Sequence, residues 1–440
     1  MKTRDTTQGG TPRPELRSRS RVLVVAAACH PEVGSEPGLG WSWIREIAKC
    51  HDVVAIVGEA KGNRQAITTA LERDPSLAAS VRFVYIPWFH EPRTRVASLI
   101  WQYYQPWYYR KYRDWMDEAY NVALQLCDNE KIDLVHQLTM IGFREPGFPW
   151  RITKPLIWGP VGGTQNVPWA CLPALGSIEG TRHLARNVIN CLQVRYQQRF
   201  RRALRKASAV FAVDSSTKDA LEKFHGRSSL VIAAGLCDPS HPRRRIRRRG
   251  EGALRLVFSG QHLSRKGLPF ALHALALIPK SAKWTLDVLG SGPMTAKWQR
   301  LAYRLGLSRQ VVFHGYVPRD TLVSVMNEAD VYIFPSLLEG WPTVLGEALS
   351  LGMPVLTTDL HGMKDIVTIE CGRRVTANRP SRLVAGLKAA ICDLIDSPDL
   401  LTRLSEGALR RAEELSADNQ MPHLMRAYRQ AIDDASLGAD

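Results

Sequence analysis

Short apolar runs alternate with amphipathic stretches along most of the chain from residue 21 onward. Residues 21–28, RVLVVAAA, form an unbroken apolar run, which is typical of a strand buried on both faces of a parallel sheet. Similar short runs predict further strands at residues 53–57, 81–86, 134–136, 156–158 and 210–213. Helical stretches separate these runs, and strand–helix alternation of this kind predicts a parallel α/β sheet.

The alternation stops near residues 236–252, where prolines and arginines dominate, and then resumes. The second set of strands is predicted at residues 254–259, 284–289, 311–314, 331–334 and 355–358. A chain of 440 residues is too long for one ordinary core, so two α/β domains are expected. The predicted division is a flexible basic tail (1–20), an N-terminal domain (21–235), a linker (236–252), a C-terminal domain (253–415) and a last helical segment (416–440).

Two carboxylates stand out in the run FPSLLEGWPTVLGEALSLGMPVLTT, residues 334–358. Glu339 follows a predicted strand, and Glu347 lies about one turn into a helix that Pro342 is suited to start. Ligands of open α/β sheets bind beyond the carboxyl ends of strands, beside helix N-termini. Free helix amides attract phosphates, and carboxylates accept hydrogen bonds from hydroxyls. The run therefore predicts a site for a polyhydroxylated anion, the bland alternative being a helix with two solvated glutamates.

The pattern P-S-x-x-E-G-x-P-x-x-x-x-E-A-L-x-x-G-x-P-V in this run closely resembles the nucleotide-sugar site of family-4 glycosyltransferases. The resemblance implies the GT-B fold, in which two Rossmann-like domains with parallel sheets face each other across a cleft. It implies transfer of a sugar from a nucleotide-diphosphate sugar to an acceptor hydroxyl, with retention of anomeric configuration. It also implies that the last helix crosses back to the N-terminal domain. No Asp-x-Asp pair is evident, and neither a metal nor another cofactor is expected.

A second segment, VFSGQHLSRKGLPFALHAL, combines a glycine turn with two cations before a helix. The family pattern G-R-L-x-x-x-K-G is matched by Gly260 and Lys266, but Gln261 occupies the arginine position. Arg265 either supplies the missing charge or is a surface residue. Lys266 and Arg265 suit a diphosphate, while the resemblance assigns Glu347 to the ribose and Glu339 to the donor sugar. The expected donor-binding residues are Gly260, Arg265, Lys266, Gly290, Gly292, Gly315, Val317, Glu339, Gly340, Pro342, Thr343, Val344 and Glu347.

Glycine loops and one histidine mark the predicted acceptor side in the N-terminal half. GSEPGLGW follows the first strand, and WGPVGGTQ follows a later one. His136 is predicted at the carboxyl end of its strand, where the resemblance implies contact with the transferred sugar, although a lone histidine is commonly structural. The expected acceptor-side residues are Gly34, Glu36, Gly38, Gly40, His136, Arg144, Gly162 and Gly163. Glu339, His136 and Lys266 are the catalytic candidates.

The formal net charge of +17 requires a partner or a solvated basic face. Basic residues concentrate at residues 195–206 and 243–249. Eight aromatic residues lie within residues 101–115, WQYYQPWYYRKYRDW. Pro106 is expected to prevent this segment from forming one long helix. Aromatics with cations suit an anionic membrane surface, but they also suit packing beneath a sheet. No RNA-recognition motif or zinc-finger spacing accompanies the charge, so nucleic acid is not expected.

The cysteines are scattered without a C-x-x-C pair, which favours a reducing cytoplasm over disulfides or a metal site. Residues 1–20 have no apolar core typical of a signal peptide, and residues 22–29 are too short to span a bilayer. The predicted function is therefore a cytoplasmic glycosyltransferase, on the inner face of the membrane if it docks there, acting on a lipid-linked or polysaccharide glycan. The alternatives are a sugar-nucleotide-binding or epimerase-like protein of the same fold and a basic nucleic-acid-binding protein.

Overall fold

The computed structural model describes residues 19–60, 62–88, 105–238 and 252–437, with side chains from residue 108 onward in the third of these ranges. Most of the predicted basic tail, the arginine cluster at residues 243–249 and most of the predicted linker lie outside the described residues. So do residues 101–104 of the aromatic stretch.

Two parallel sheets organise the described chain, as predicted. The N-terminal sheet has seven strands in the order β3-β2-β1-β4-β5-β6-β7, and the C-terminal sheet has six in the order β10-β9-β8-β11-β12-β13. The strands are β1 (Arg21–Ala26), β2 (Asp52–Glu59), β3 (Val81–Pro87), β4 (Leu134–Thr139), β5 (Leu156–Val161), β6 (Ala209–Ala212), β7 (Leu230–Val231), β8 (Leu254–Ser259), β9 (Trp284–Leu289), β10 (Val311–Gly315), β11 (Val331–Phe334), β12 (Val355–Thr358) and β13 (Gly372–Val375).

Helices cover both faces of each sheet. In chain order they are α1 (Glu36–Ala48), α2 (Asn63–Arg73), α3 (Pro75–Ser80), α4 (Gln105–Asn129), α5 (Ser177–Tyr196), α6 (Gln198–Lys206), α7 (Ser215–His225), α8 (Leu268–Ala276), α9 (Thr295–Arg304), α10 (Arg319–Glu328), α11 (Thr343–Ser350), α12 (His361–Ile366), α13 (Pro380–Asp396), α14 (Pro398–Glu414) and α15 (Ala417–Leu437). Short 3₁₀ turns occupy Pro149–Arg151, Trp169–Cys171, Pro173–Leu175 and Ser264–Lys266.

Burial explains which strands the sequence pattern found and which it missed. Strand β1 is fully buried from its second residue, and it pairs in parallel with β2 and β4, which accounts for its unbroken apolar run. Strand β13, GRRV, carries two arginines at the edge of its sheet, and β7 is a two-residue exposed edge. Strand β13 lacks the apolar run on which the prediction depended, whereas β7 starts the apolar run LVIAA, residues 230–234, which the prediction did not select.

The strand orders place a switch point in each sheet. Strand β1 lies between β2 and β4, and β8 lies between β9 and β11, so the chain reverses its direction of winding at β1/β4 and at β8/β11. Crevices beyond the carboxyl ends of such strands are the usual ligand sites of open α/β sheets. The predicted donor and acceptor loops follow these strands.

Two segments cross between the sheets. Helix α15 packs its buried face, which includes Leu424 and Tyr428, into the same core as β1 and β2. In the opposite direction, Cys171 and Leu175 pack into the core of the C-terminal sheet. A hydrogen bond from the His361 ring to the Asn166 carbonyl oxygen, 2.9 Å, adds a polar contact between the two halves. These contacts hold the two loop-bearing edges against each other.

For the C-terminal end of the aromatic stretch, the structure favours packing beneath the sheet over a membrane surface. Tyr112 and Trp115 are 1% and 3% exposed and belong to the core beneath the N-terminal sheet. Trp115 also contacts the ring of Trp88 in an edge-on arrangement. Pro106 does not divide this segment in the way predicted, because it lies in the first turn of α4, where proline is tolerated.

Candidate functional site

A carboxylate held by two cations lies beyond the carboxyl ends of β8 and β11. The Lys266 ammonium is 2.8 Å from Glu339 Oε1, and the Arg265 guanidinium contacts the same oxygen. Ser336 donates a further hydrogen bond to Glu339 Oε1 at 3.1 Å, and Arg265 also donates to the Leu338 carbonyl oxygen at 2.7 Å. The structure therefore brings together three residues that the sequence placed at the donor site, and Arg265 is part of the cluster.

Burial and charge compete in this cluster. Burial alone would raise the pKa of Glu339, but the charges of Lys266 and Arg265 and the Ser336 hydroxyl outweigh it and hold that pKa below its ordinary value. Burial lowers the pKa of Lys266, and the neighbouring carboxylate opposes this effect. The Glu339 carboxylate is thus ionised at neutral pH, and two cations with one anion leave the cluster with a positive charge.

Helix α11 points its N-terminus toward the same edge of the sheet. Pro342 occupies the N-cap position, and no side chain caps the first turn. Thr343 and Val344 are the first two helical residues, so their amides are among those that an α-helix leaves without an internal partner. Glu347 lies one turn further along, a third exposed, and accepts a hydrogen bond from Arg319 at 3.2 Å. The free amides of α11 therefore begin directly after the Glu339 loop, and Glu347 lies one turn beyond them.

Glycine turns bring backbone close to the cations. Gly260 has a φ of 132°, and a β-carbon there would lie 4.0 Å from the Lys266 ammonium. Gly290 has a φ of 108°, and a β-carbon there would overlap the Gly260 carbonyl oxygen, so these two turns pack without side chains between them. Gly290 also donates to the Gly315 carbonyl oxygen at 2.7 Å, which links β9 to β10 at this edge.

The remaining predicted donor residues lie in the same group of loops. The Gly292 amide donates to the Thr295 hydroxyl at 3.0 Å, at the start of α9. Val317 packs against the core beneath the β8–β11 edge. His262, which the sequence analysis did not select, is buried, and its ring contacts the Thr295 hydroxyl at 2.8 Å. The histidine is part of the turn rather than an exposed group.

The N-terminal domain approaches the Glu339 loop directly. A β-carbon at Gly340 would lie 3.6 Å from a Val213 methyl group and 3.7 Å from the Gln165 side-chain nitrogen. Gln165 donates in turn to the buried Asp214 carboxylate at 2.8 Å and accepts from the Gly163 amide at 2.9 Å. The predicted glycine loop around Gly163 therefore lines the cleft opposite Gly340.

Asp214 is a site residue that the sequence analysis missed. Burial raises its pKa to about 6, against hydrogen bonds from Thr217 and Gln165 that lower it. Its carboxylate accepts from the Thr217 amide at 2.7 Å and so caps α7. The signal in the sequence was an aspartate directly after a strand and before Ser-Ser-Thr, which is a helix N-cap pattern. The cap and the cleft-lining network use the same carboxylate.

A pocket of about 430 Å³ opens at the carboxyl ends of β1 and β2. Apolar side chains, including those of Trp88 and Met140, form much of its wall, and Glu36 and Arg64 contribute charge. The Ile141 amide donates to Glu36, and burial, acting against that hydrogen bond, raises the pKa of Glu36 to about 6. The pocket can therefore hold an apolar or ring-shaped group with a hydrogen-bonding carboxyl beside it.

The other predicted acceptor residues have different surroundings. Gly34 is exposed in the loop before α1, whereas Gly38 and Gly40 lie inside α1, and Gly40 is buried. Gly162 donates a hydrogen bond to the Ile141 carbonyl oxygen at 2.7 Å. Because the Ile141 amide donates to Glu36, Ile141 links the pocket to the cleft. Arg144 is held by α5, where Gln193 accepts its hydrogen bond at 2.8 Å.

His136 is not at the cleft, which corrects its predicted role. It is fully buried in the middle of β4, and both ring nitrogens are occupied. Nε2 contacts the Gly159 carbonyl oxygen at 2.7 Å, and Nδ1 contacts the Tyr428 hydroxyl at 2.6 Å. Burial lowers the pKa of His136 to about 4, so the ring is neutral. With no exposed surface and no unoccupied nitrogen, this histidine anchors α15 and cannot touch a sugar in the cleft.

Across the four described ranges, no group of three or more His, Cys, Asp or Glu side chains is arranged to hold a metal ion. None of the helices in those ranges is both long enough and apolar enough to cross a bilayer.

The C-terminal part of the chain matches a known protein family. Residues 242–411 match the family "Glycosyl transferases group 1", and the match includes Lys266, Glu339 and Glu347. The chain is also 27% identical over 249 residues to a 2-deoxystreptamine glucosyltransferase of Streptomyces kanamyceticus, covering 52% of this chain and 62% of that enzyme. The first curated relatives are matched over 36% to 62% of their own length, so the chain spans less than two thirds of them.

Solved structures share the two-domain arrangement. The sucrose-phosphate synthase of Thermosynechococcus elongatus superposes with a TM-score of 0.64 at 16% identity, covering 94% of this chain and 100% of that one. HepE of Anabaena, solved in complex with UDP, superposes with a TM-score of 0.57 at 16% identity, covering 93% and 99%. At such identities the likeness concerns the fold, and it confirms the predicted arrangement of two facing Rossmann-like domains.

Proposed function

We propose that this protein transfers a sugar from a nucleotide-diphosphate sugar to an acceptor hydroxyl, because residues 242–411 match the group 1 glycosyltransferase family. The cleft between the two sheets is the proposed active site. The donor binds at the edge of β8 and β11, and the acceptor enters from the N-terminal domain.

One observation carries this proposal, namely the cluster of Lys266, Arg265 and Glu339 beside the first turn of α11. A diphosphate needs cations and free amides, and both are present within one group of loops. A sugar ring needs acceptors for its hydroxyls, and Glu339 and Glu347 supply carboxylates. A UDP- or GDP-sugar is the proposed donor, and the UDP bound by the Anabaena relative of the same fold supports a uridine nucleotide.

In the proposed reaction the acceptor oxygen bonds to the anomeric carbon while the bond from that carbon to the diphosphate oxygen breaks. The diphosphate leaves with the electron pair, and Lys266, Arg265 and the α11 amides stabilise its charge. Retention is proposed on the strength of the family resemblance. Retention without a protein nucleophile requires attack from the face of the leaving group, which puts the acceptor hydroxyl beside the leaving oxygen and lets that oxygen take the proton. No metal or other cofactor is included, since the protein's own cations are proposed to neutralise the diphosphate.

The acceptor is proposed to be a lipid-linked or polysaccharide glycan intermediate. The pocket beside Glu36 supports an acceptor with an apolar or ring-shaped group, because apolar side chains line much of it. The Ile141 loop connects this pocket to Gly162 and hence to the cleft. Glu36 would position the acceptor through a hydrogen bond from a hydroxyl group.

The proposed location is the cytoplasm, with reversible attachment to the inner face of the cell membrane. A lipid-linked acceptor would be presented there, and the net charge of +17 would favour an anionic surface. Nucleic acid is not a proposed partner, because the donor cluster and the family match account for the site without it.

A panel of UDP-, GDP- and ADP-sugars in a thermal-shift assay tests the donor, since a ligand at 100 times its Kd stabilises by about 2.7 kcal/mol. The stabilising donor is then incubated with glycan acceptors, and transfer is followed by mass spectrometry. A nucleotide sugar that binds and is epimerised, or is bound without any reaction, would favour the sugar-nucleotide-binding alternative. No stabilisation by any nucleotide sugar would refute the donor site itself.

A further inference from the structure

Helix α5 turns an apolar face toward solvent. The large apolar residues on this face are between 44% and 82% exposed, and they are Ile178, Leu184, Val188, Ile189, Leu192 and Tyr196. Leu184, Val188, Leu192 and Tyr196 are spaced four residues apart, so they form one stripe along the helix. A surface helix ordinarily points such a stripe at the core, and a contiguous exposed stripe marks an interaction surface.

The opposite face of α5 is buried and largely polar, with Val194 reaching the core beneath the N-terminal sheet. Asn187 and Asn190 are fully buried and hydrogen bond the loop at residues 164–167, with Asn187 donating to the Val167 carbonyl oxygen at 2.8 Å. Arg186 donates to the Gln165 carbonyl oxygen at 2.9 Å. These polar contacts fix the orientation of the helix, so its apolar stripe faces away from the core of this chain.

The charge along and after this stripe is mainly positive, with Glu179 in the first turn of α5 as the exception. Residues 180–213 contain eight Lys and Arg and no Asp or Glu. On the adjoining helix α6, Arg201, Arg202, Arg205 and Lys206 are exposed, while Phe200 and Leu204 point into the core. Arg195 is exposed on α5 itself. An apolar stripe bordered by cations matches a bilayer surface with anionic headgroups, where the apolar side chains enter the acyl boundary and the cations remain among the headgroups.

We propose that the outer face of α5, with the exposed cations of α6, docks on an anionic lipid bilayer. This proposal names the surface for the membrane attachment included in the proposed function. A second copy of this chain fits the surface less well, because pairing two stripes would bring two basic segments without carboxylates together, and their like charges would repel.

Docking through α5 would place the cleft at the membrane surface. The buried side of α5 holds the loop that contains Gln165, which lies opposite Gly340 in the cleft. At the other end of α5, Glu179 accepts a hydrogen bond from Ser264 at 3.0 Å, next to Arg265 and Lys266. A lipid-linked acceptor could therefore enter the cleft while its chains stay in the bilayer.

Flotation with vesicles tests this surface with the full-length protein. We expect binding to vesicles of phosphatidylcholine with 30% phosphatidylglycerol, no binding to phosphatidylcholine alone, and loss of binding as salt is raised. The double variant Arg202→Gln/Arg205→Gln should bind about 25-fold more weakly, at about fivefold for each cation near the surface. The matched control, Arg304→Gln/Arg309→Gln on the C-terminal domain, replaces two exposed arginines and should bind like the wild type.

The apolar stripe is tested with Val188→Ser/Leu192→Ser, which should lower vesicle binding on the order of tenfold or more because buried apolar area is lost. The matched control is Leu277→Ser/Tyr303→Ser, which removes two exposed apolar side chains from the C-terminal domain. Nucleotide-sugar stabilisation should be unchanged in all four variants, so failure of the docking proposal can be told apart from failure of the donor site.

Three results would overturn the proposal. Equal binding to neutral vesicles would remove the role of the cations, and equal losses in the test and control variants would remove the role of α5. A dimer in lipid-free buffer that Val188→Ser/Leu192→Ser dissociates, seen by sedimentation, would assign the stripe to a second copy of the chain.

Discussion

The Lys266 ammonium lies 2.8 Å from Glu339 Oε1, and the Arg265 guanidinium contacts the same oxygen. When no donor is bound, the two cations proposed to bind the diphosphate therefore pair with the carboxylate proposed to bind the sugar. Diphosphate carries more negative charge than one carboxylate and would draw both cations toward itself. The Glu339 carboxylate would then be released to accept hydrogen bonds from donor hydroxyls. In this arrangement donor binding itself prepares the carboxylate, and the positive charge of the cluster favours the leaving diphosphate.

Arg265→Ala should lose donor affinity nearly as severely as Lys266→Ala. Each substitution removes a cation from the diphosphate and leaves Glu339 with one fewer partner, at about 1.5–3 kcal/mol for a charged hydrogen bond. Titration calorimetry with the stabilising nucleotide sugar measures the loss. Arg265→Lys should recover part of the affinity, as a single charge without the guanidinium fork. If Arg265→Ala binds like the wild type, its contact with the Leu338 carbonyl oxygen is only structural, and Gln261 is tolerated without compensation.

Glu347→Ala should weaken donor binding about 10- to 150-fold, corresponding to about 1.5–3 kcal/mol, because ribose hydroxyls would lose a charged acceptor. The effect should appear in the Kd for the free nucleotide diphosphate as well as for the nucleotide sugar. Glu339→Ala should instead reduce turnover more than nucleotide affinity, since its proposed partner is the sugar. Glu328→Ala is the matched control, an exposed glutamate on the neighbouring helix α10. Equal affinities in the Glu347→Ala variant and this control would remove Glu347 from the site.

Tyr428→Phe tests the structural role now assigned to His136. Because a carbonyl oxygen can only accept, His136 Nε2 donates to Gly159 and Nδ1 accepts from the Tyr428 hydroxyl. The substitution leaves Nδ1 buried without a donor, which should cost about 1–3 kcal/mol in the free energy of unfolding. Urea denaturation measures this cost, and kcat/KM should stay unchanged. A loss of turnover without a loss of stability would return His136 to the catalytic candidates.

The donor half could be predicted from the sequence because its chemistry is contiguous. Glu339, Pro342 and Glu347 lie within one strand–loop–helix–strand unit, where local spacing fixes which groups meet. His136 shows the opposite case. Its partner Tyr428 is 292 residues away in the chain. The sequence around β4 gives no sign that α15 packs over this strand.

Helix α5 shows why an amphipathic pattern alone does not give orientation. Its apolar stripe would ordinarily be predicted to face the core, but Asn187 and Asn190 occupy the buried side. Their side-chain amides donate hydrogen bonds to backbone carbonyl oxygens of the loop at residues 164–167. These carbonyl groups belong to a neighbouring segment, so the pattern of α5 alone does not reveal them. The pattern around Tyr112 and Trp115 likewise fits either a membrane surface or packing, and only the sheet that they pack against distinguishes the two.

Glu36→Gln should leave donor binding unchanged and lower transfer to the acceptor. The carboxylate accepts from the Ile141 amide and lines the pocket, so an amide of the same shape keeps the backbone contact and loses the charge. Burial raises the pKa of Glu36 to about 6, so the acceptor KM of the wild type should change through that pH range, and that of the variant should not. Glu59→Gln, at the rim of the same pocket, is the comparison. A variant that transfers normally at every pH would place the acceptor elsewhere.

Asp214→Asn should change how stability depends on pH. Burial raises the folded-state pKa of Asp214 to about 6 from an ordinary value of 3.8, so the folded state holds a proton that the unfolded state releases. Between these values stability falls as pH rises, and above them the charged carboxylate remains a constant cost.

The variant has no such titration but loses the hydrogen bond from Gln165. Its free energy of unfolding minus that of the wild type should therefore rise by roughly 3 kcal/mol between about pH 4 and pH 6 and then level off. Urea denaturation at half-unit pH steps gives this difference, in which the titrations common to both proteins cancel. A difference that stays flat across the range would mean that Asp214 is ionised throughout and that the Thr217 and Gln165 hydrogen bonds fully offset its burial.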